Sequence, residues 1–337
     1  MEEYEDARRL MDLLFGFISA QVVRTMAALD LADHLASRPV TPGELAKLAD
    51  CHEPNLRRLL RAAVHLELVT ATGDGRYELA SAGRLLCSGS PMKAMVNHMV
   101  GEPNWSAFGR LDHTVRTGGS AVEHVFGRSS YEWLAEHPEA QSAFYAWMRE
   151  AAKADAPPLV ACLDLDGARD VVDIGGGNGS LMAALLRAHP ELTGAVFDLE
   201  AGLRGTSAVL EEAGVSDRCS LVPGDFLVDV PPAGRDAYVI KNTLSDWDDE
   251  SAVRLLRHCR QAMRSDSGLF VIDMIMAEDD SSADSIALMS DMSTLIDKGM
   301  IRTGPEFREL FARAGLRLVT TREVPGGAVS VMRVATT

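Results

Sequence analysis

The sequence predicts an α/β fold: a mainly parallel sheet with an antiparallel last strand, preceded by a mostly helical region that contains a winged helix. Three observations predict it. Residues 171–179 read Val-Val-Asp-Ile-Gly-Gly-Gly-Asn-Gly, a buried-strand pattern that runs into a glycine-dense turn, and a helix-like run, Ser180–Ala188, follows directly. Strand, glycine turn and helix in that order present bare backbone to a nucleoside cofactor. Beyond residue 170, apolar strands at 170–174, 194–198, 219–222, 236–240 and 268–274 alternate with helices, and strands at 316–321 and 328–334 close the chain around Pro325-Gly-Gly. Such an alternation ending in a hairpin gives a mainly parallel sheet with an antiparallel last strand. Upstream of residue 150 the pattern is helical instead.

In that region, residues 8–35 carry Leu10, Leu13, Leu14, Ile18, Val22, Met26, Leu29 and Leu31 mostly at three- and four-residue steps, which predicts helix. Thr41-Pro42-Gly43-Glu44 is a capping box with proline at the first helical position. Pro54–Leu66 reads as a second helix, and Leu68–Leu79, turning at Gly73-Asp74-Gly75, reads as a hairpin. Residues 29–86 are therefore expected to form helix, turn, helix and wing. Arg57, Arg58 and Arg61 offer cations to phosphate, but a net charge of −16 opposes nucleic acid, whose binding depends on Lys/Arg neutralisation. A protein contact, a homodimer through the apolar N-terminal helices, is the favoured use. Residues 88–150 read as mostly helical, with turns at Gly118-Gly119 and Phe126-Gly127.

At 337 residues, two domains are the default, and 47% hydrophobic content can supply their cores. The expected divisions are 1–100 (helical, winged helix, dimerisation), 101–155 (helical connector contributing to a substrate pocket) and 156–337 (cofactor-binding catalytic domain). Five cysteines, Cys51, Cys87, Cys162, Cys219 and Cys259, without Cys-x-x-Cys spacing read as reduced thiols, with no zinc signature. An acidic N-terminus and no uninterrupted apolar run of 18 residues predict a cytoplasmic protein with no membrane partner.

The glycine turn is Gly175-x-Gly177-x-Gly179, and Ser180 stands where a dinucleotide turn places its third glycine. The next apolar run ends in Asp198, whose carboxylate can accept from both ribose hydroxyls. Gly224-Asp225-Phe226 follows the third strand, where a carboxylate can accept from an adenine amino group beside an aromatic ring. Lys241 ends the fourth strand, and Ser245-Asp-Trp-Asp-Asp-Glu250 opens the next helix, with Asp248, Asp249 and Glu250 as first-turn charges complementing its dipole.

With these segments in view, the sequence resembles the class I S-adenosylmethionine (SAM)-dependent O-methyltransferases. More narrowly it is similar to the plant caffeate-type and bacterial polyketide-tailoring branch, including anthracycline-tailoring enzymes and a hydroxylase relative. Val171–Gly179, Phe197–Leu199, Gly224–Phe226, Lys241–Asp249 and Arg302–Gly315 carry the resemblance, which covers nearly the whole chain. It implies a Rossmann-like catalytic domain, SAM as cofactor and a homodimer. By the same resemblance, Gly175 and Gly177 approach the methionine part of SAM, Asp198 the ribose, Asp225 and Phe226 the adenine, while Lys241 and Trp247 close the nucleoside pocket.

One departure bears on mechanism. A phenol, of pKa about 10, attacks a methyl group well only as its proton leaves. Relatives supply a histidine in a His-Asp-Trp sequence, oriented by acids that include a Glu in Gly-Gly-x-Glu-Arg-Thr. Here Ser245 occupies the histidine position, Ile301 or a one-residue deletion stands at the glutamate position, and Asp273 corresponds to the remaining acid. A serine hydroxyl is a poor base unless another base activates it. Three explanations are open: methyl transfer driven by alignment of the reactants, another residue such as His113 or His98 taking the proton, or a SAM-binding enzyme with non-methylating chemistry (hydroxylation, decarboxylation or cyclisation).

For the acceptor, Phe144–Arg149 carries aromatics with Trp147 and Met148 on a helical stretch, and relatives place a methionine near this point in the reaction pocket. Met289, Met292, Ser293 and Ile296 are expected to share a helix facing the same cavity, suited to a planar aromatic. Arg149 is a candidate partner for a carboxylate, and Glu306 is read as closing a Thr303 capping box. No metal is expected. The reading is a SAM-dependent O-methyltransferase acting on a phenolic or carboxylic aromatic secondary metabolite.

Overall fold

The computed structural model describes residues 2–279 and 284–337. It forms two compact units, Met1–Ser106 with Glu136–Glu150, and Ala107–Ala135 with Ala151–Thr337. The helices between residues 101 and 155 are thus divided between the two units.

In the first unit, α1 (Glu2–Ala28) and α2 (Leu31–Leu35) are separate helices. The sequence predicted helix throughout 8–35; Asp30, at φ 52°, breaks it, and Asp is one of the few residues whose short polar side chain tolerates that region. The Thr41 box starts α3 (Pro42–Leu48) as expected: the Thr41 hydroxyl accepts from the Glu44 amide at 3.2 Å, and Glu44 accepts from the Thr41 amide at 2.7 Å. Such a cap contributes about 1 kcal/mol. Leu56, Leu60 and Ala63, four and three residues apart, form the buried stripe of α4 (Glu53–His65). The wing is β1 (Val69–Ala71) paired antiparallel with β2 (Tyr77–Leu79), followed by α5 (Ser81–Arg84) and α6 (Pro91–Met99). Met26, Leu31, Leu35, Leu45 and Leu60 fill the core beneath them. Arg57, one of the three wing-side arginines, pairs with Glu53 at 2.8 Å.

Helix α1 exposes Leu10, Leu13, Leu14, Phe15, Phe17 and Ile18. Tyr4–Ala28 is long and apolar enough to cross a membrane by length and composition alone.

Short helices α7 (Asn104–Phe108), α8 (Leu111–Thr117), α9 (Ala121–Phe126) and α10 (Ser130–Glu136) lead to the long α11 (Pro138–Cys162). The turns after α8 and α9 fall at Gly118 and Gly127, as predicted.

The second unit alternates β3 (Asp170–Ile174), α12 (Ser180–Ala188), β4 (Thr193–Asp198), α13 (Thr206–Glu212), β5 (Cys219–Pro223), β6 (Ala237–Lys241), α14 (Asp249–Ala262) and β7 (Gly268–Asp273). It then adds α15 (Ser285–Leu295), α16 (Gly304–Arg313), β8 (Leu316–Glu323) and β9 (Ser330–Thr336). Among the described residues these strands make a seven-stranded sheet in the order β5-β4-β3-β6-β7-β9-β8. Strands β3 to β7 are parallel, and β9 runs antiparallel to both of its neighbours. Alternate residues of β3 serve two cores. Val172 and Ile174 pack with Leu255, Leu256, Phe307 and Phe311, and Val171 packs with Leu181, Leu185 and Leu210. A parallel strand buried on both faces must read as continuously apolar, which is why the segment was recognisable. Strand order reverses between β3 and β6, and the crevice at the carboxyl ends of those strands is where such sheets bind ligands.

Candidate functional site

At the end of β3 the chain turns through Gly175, Gly177 and Gly179, all at positive φ (68°, 53° and 74°). The Asp173 carboxylate lies beneath this turn: a Cβ on Gly176 would come within 2.7 Å of it, so only glycine fits there. At the end of β4, Asp198 accepts from the Gly177 amide at 2.8 Å and from the Leu199 amide through its other oxygen at 2.6 Å. The carboxylate thereby fixes the turn and still has lone pairs for two more donors.

Asp225 and Phe226 follow β5. Asp225 accepts from the Leu227 amide at 2.9 Å and its own amide donates to Asp229, so it also shapes the turn it belongs to. The Phe226 ring meets Trp247 edge to face, with centroids 6.0 Å apart at 87°, and the Phe226 carbonyl lies 2.9 Å from His258 Nδ1. Lys241 closes β6, and its carbonyl accepts from the Thr243 hydroxyl at 3.0 Å.

Residues Leu244–Asp246 form a 3-10 turn, and α14 begins only at Asp249. The sequence placed Asp248 inside the first turn of that helix. It is instead the N-cap, accepting from the Ser251 amide at 2.8 Å, because an Asp at that position satisfies a donor that the helix cannot. The turn is clamped from below by Arg302, which is 1% exposed. Its guanidinium donates to the Leu244 carbonyl, the Trp247 carbonyl (each 2.8 Å) and Asp249 (2.9 Å). From the other side the Met300 amide donates to the Ser245 carbonyl at 2.9 Å, and a Cβ on Gly299 would stand 2.3 Å from that same oxygen. Ser245 is buried, and its amide donates to Asp273 at 3.2 Å. Ile301 is buried; its amide donates to Asp291 at 2.8 Å.

Four carboxyl groups at these strand ends are harder to ionise than usual, in each case chiefly because burial strips water from the charged form. Asp173 is pushed up to about 7, with Asp198 adding to the rise and Lys241 opposing it. Asp246 is also raised to about 7; the hydrogen bond from Tyr131 opposes the shift, and Asp273 and Asp297 reinforce it. Asp273 stands at about 6, held down in part by the Met274 amide, Ser245 and Arg302. Asp198 is raised by burial against the opposing pull of the Gly177 and Leu199 amides. Asp173 Oδ2 is buried with no hydrogen-bond partner. An orphaned buried carboxylate oxygen among other acids is an environment for a cation. A nucleoside that carries an ammonium and a sulfonium fits it.

Gly175, Gly177, Asp198, Asp225, Phe226, Lys241, Ser245, Trp247 and Asp273, singled out from the sequence, all lie at or just beyond the carboxyl ends of the parallel strands of the second unit. Met289 and Met292 share α15 as expected, Met289 largely exposed. Ile296, expected on the same cavity, packs instead with Ala107, Ala121 and Val122, because its carbonyl docks on the N-terminus of α9. Trp147 and Met148 belong to the first unit. There Trp147 stacks on His98 at 5.2 Å, and Phe144 lies 5.0 Å from the same imidazole. Burial lowers His98 to about 4, which makes it a weak base. His113 stacks on His124 at 3.9 Å, and its Nε2 lies 3.4 Å from the Thr117 hydroxyl. Arg149 pairs with Glu150 at 3.3 Å, and Glu306 closes the Thr303 capping box.

Three residues escaped the sequence reading. Asp173 was signalled by a charge inside an otherwise apolar strand. Arg302 lies in a segment that carries the family resemblance, but its clamping contacts, like the Tyr131–Asp246 bond, join residues distant in sequence.

Residues 108–317 match the O-methyltransferase domain model, and residues 11–89 match the O-methyltransferase dimerisation domain model. The chain is 36% identical over 326 residues to O-demethylpuromycin-O-methyltransferase of Streptomyces alboniger, covering 94% of this chain and 86% of that protein. The structure of mitomycin 7-O-methyltransferase superposes with a TM-score of 0.95 at 31% identity, covering 100% of this chain and 99% of that one. An O-methyltransferase of neocarzinostatin biosynthesis, solved with SAM and 2-hydroxy-5-methyl naphthoic acid, superposes at 0.84 with 32% identity over 94% of this chain and 96% of that one. The chain belongs to the O-methyltransferase family, with that family's dimerisation domain at its N-terminal end, and is a SAM-dependent O-methyltransferase.

Proposed function

We propose that the protein methylates a phenolic or carboxylic oxygen of a planar aromatic secondary metabolite, as a homodimer joined through the apolar face of α1. The observation that carries this reading is the arrangement at the strand ends: Asp198 tying down the glycine turn, the orphaned Asp173 carboxylate below it, and the Phe226–Trp247 pair beside it. Bound SAM supplies an electrophilic methyl group. The chain's own residues hold and orient. Asp198 receives ribose hydroxyls, Phe226 and Trp247 flank the adenine with Asp225, Gly175 and Gly177 leave room for the methionine part, and Lys241 closes the nucleoside pocket. Asp173 receives positive charge. Met289 and Met292, on α15, are the proposed acceptor contacts.

Ser245 is a positioning residue in this reading. Its amide holds Asp273, and its hydroxyl cannot replace an imidazole as base at neutral pH. Alignment of acceptor and methyl group supplies most of the acceleration, for which proximity alone accounts for about 7–11 kcal/mol. Incubation with SAM and a panel of hydroxynaphthoates, hydroxyphenazines and aminohydroxybenzoates should yield a methyl ether or ester, read by mass spectrometry. A modified acceptor beside undiminished SAM would instead establish non-methylating chemistry. Ser245→Ala should lower the rate less than about tenfold; a loss of roughly a thousandfold, the size expected on removing a general base, would make the hydroxyl a participant.

A further inference from the structure

We propose that the Asp246 carboxylate, poised by the Tyr131 hydroxyl, takes the acceptor's proton in this enzyme. The inference rests on the methyl-transfer reading above and adds the step that Ser245 leaves unfilled. Asp246 lies one residue beyond Ser245, within the 3-10 turn that Arg302 and Met300 fix from two sides. Tyr131, at the start of α10, donates to Asp246 Oδ2 at 2.9 Å. No other hydrogen bond to this carboxylate is present among the described residues, so Oδ1 keeps its lone pairs for an incoming donor. The Tyr131 hydroxyl is held protonated chiefly by the charge of Asp246, with Asp198 and Asp297 adding to the effect.

The groups that act on Asp246 come from every neighbouring element. Tyr131 on α10 donates to it; Asp273 at the end of β7 and Asp297 after α15 repel its negative charge. Arg302 is turned to the backbone carbonyls and Asp249 rather than to this carboxylate. Desolvation and two neighbouring acids make Asp246 more basic than an ordinary carboxylate, up to about 7, which is the range in which a general base is both ionised and effective at neutral pH. Among the described residues, His113 makes no hydrogen bond to the turn.

The balance is that of a simple displacement. The acceptor O–H bond breaks with its proton passing to Asp246, an oxygen–carbon bond forms to the methyl group, and the sulfur–carbon bond of SAM breaks, leaving a neutral thioether.

Four measurements test this. For an acceptor whose hydroxyl is neutral at the pH of assay, the wild-type rate should rise with pH through an inflection near 7. Asp246→Asn should lower the rate roughly 100- to 10,000-fold and remove the inflection while retaining SAM affinity. Tyr131→Phe removes a hydrogen bond to the charged form, so its inflection should move to higher pH. Independently of turnover, calorimetry with S-adenosylhomocysteine present should show acceptor affinity rising as Asp246 ionises, and a flat profile for Asp246→Asn. Wild type that methylates, with Asp246→Asn and Tyr131→Phe sharing its rate and pH profile, would overturn the assignment. Wild type that consumes no SAM with any acceptor would overturn the methyl-transfer reading itself.

Discussion

Asp198→Ala is expected to weaken SAM binding by roughly 100- to 10,000-fold, because two hydrogen bonds to a charged acceptor, each worth about 1.5–3 kcal/mol, are lost together. The effect has two sources in the structure. In the proposed reading the carboxylate receives the ribose hydroxyls, and in the structure it is the acceptor for the Gly177 and Leu199 amides. Removing it frees the glycine turn and leaves those amides to find water. Asp198→Asn separates the two: its amide oxygen can keep one backbone donor, so the fold should hold while much of the affinity is lost. Titration calorimetry with SAM and with S-adenosylhomocysteine reads both variants. Unchanged affinity in Asp198→Ala would show that the nucleoside does not rest on this strand end.

Asp173→Asn should raise the stability of the ligand-free protein at pH 8 while lowering its affinity for SAM. Asp173 is 1% exposed and its folded pKa is raised to about 7. The folded state therefore holds the proton more tightly than the unfolded chain does, and the stability this contributes is complete below about pH 4 and lost as the pH rises through 7. From that shift the cost of ionising the group at pH 8 is on the order of 4 kcal/mol. Asparagine has no charge to bury, so the variant should unfold at higher denaturant than wild type at pH 8 and show little advantage at pH 4. A bound cation reverses the balance. Wild-type affinity for SAM should increase from pH 6 to 8, and the variant's should not. Matching denaturation curves at pH 8 would reject the view of Asp173 as an uncompensated charge awaiting a cation.

What the sequence disclosed followed the range of the interactions involved. The Thr41 and Thr303 capping boxes, the hairpin wing and the β3–turn–α12 unit depend on residues within a few positions of one another, and they could be read directly. The break at Asp30 could not, since a single left-handed residue leaves the apolar spacing on either side intact. At the site, the residues ending successive parallel strands were legible because register brings them to one edge: Ile174 pairs with Phe197, Asp198 with Pro223, and Lys241 with Ile272. Asp173 was overlooked because its flanking valines and isoleucine made the segment read as strand alone, although a carboxylate in such a strand is costly unless a partner arrives. Tyr131 meets Asp246 across 115 residues, and Arg302 reaches the Leu244 carbonyl across 58, distances over which no pattern in one sequence speaks. Ser245 could be set against the family's motif from the sequence, whereas the burial and neighbouring acids that raise Asp246 emerged only from the fold.

A crystal structure of the protein with S-adenosylhomocysteine tests the central assignment most directly. The ribose should sit on Asp198, the adenine beside Phe226 and Trp247, and the amino group should be within reach of the Asp173 carboxylate. A nucleoside bound elsewhere, with Asp198 and Asp173 untouched, would contradict the assignment.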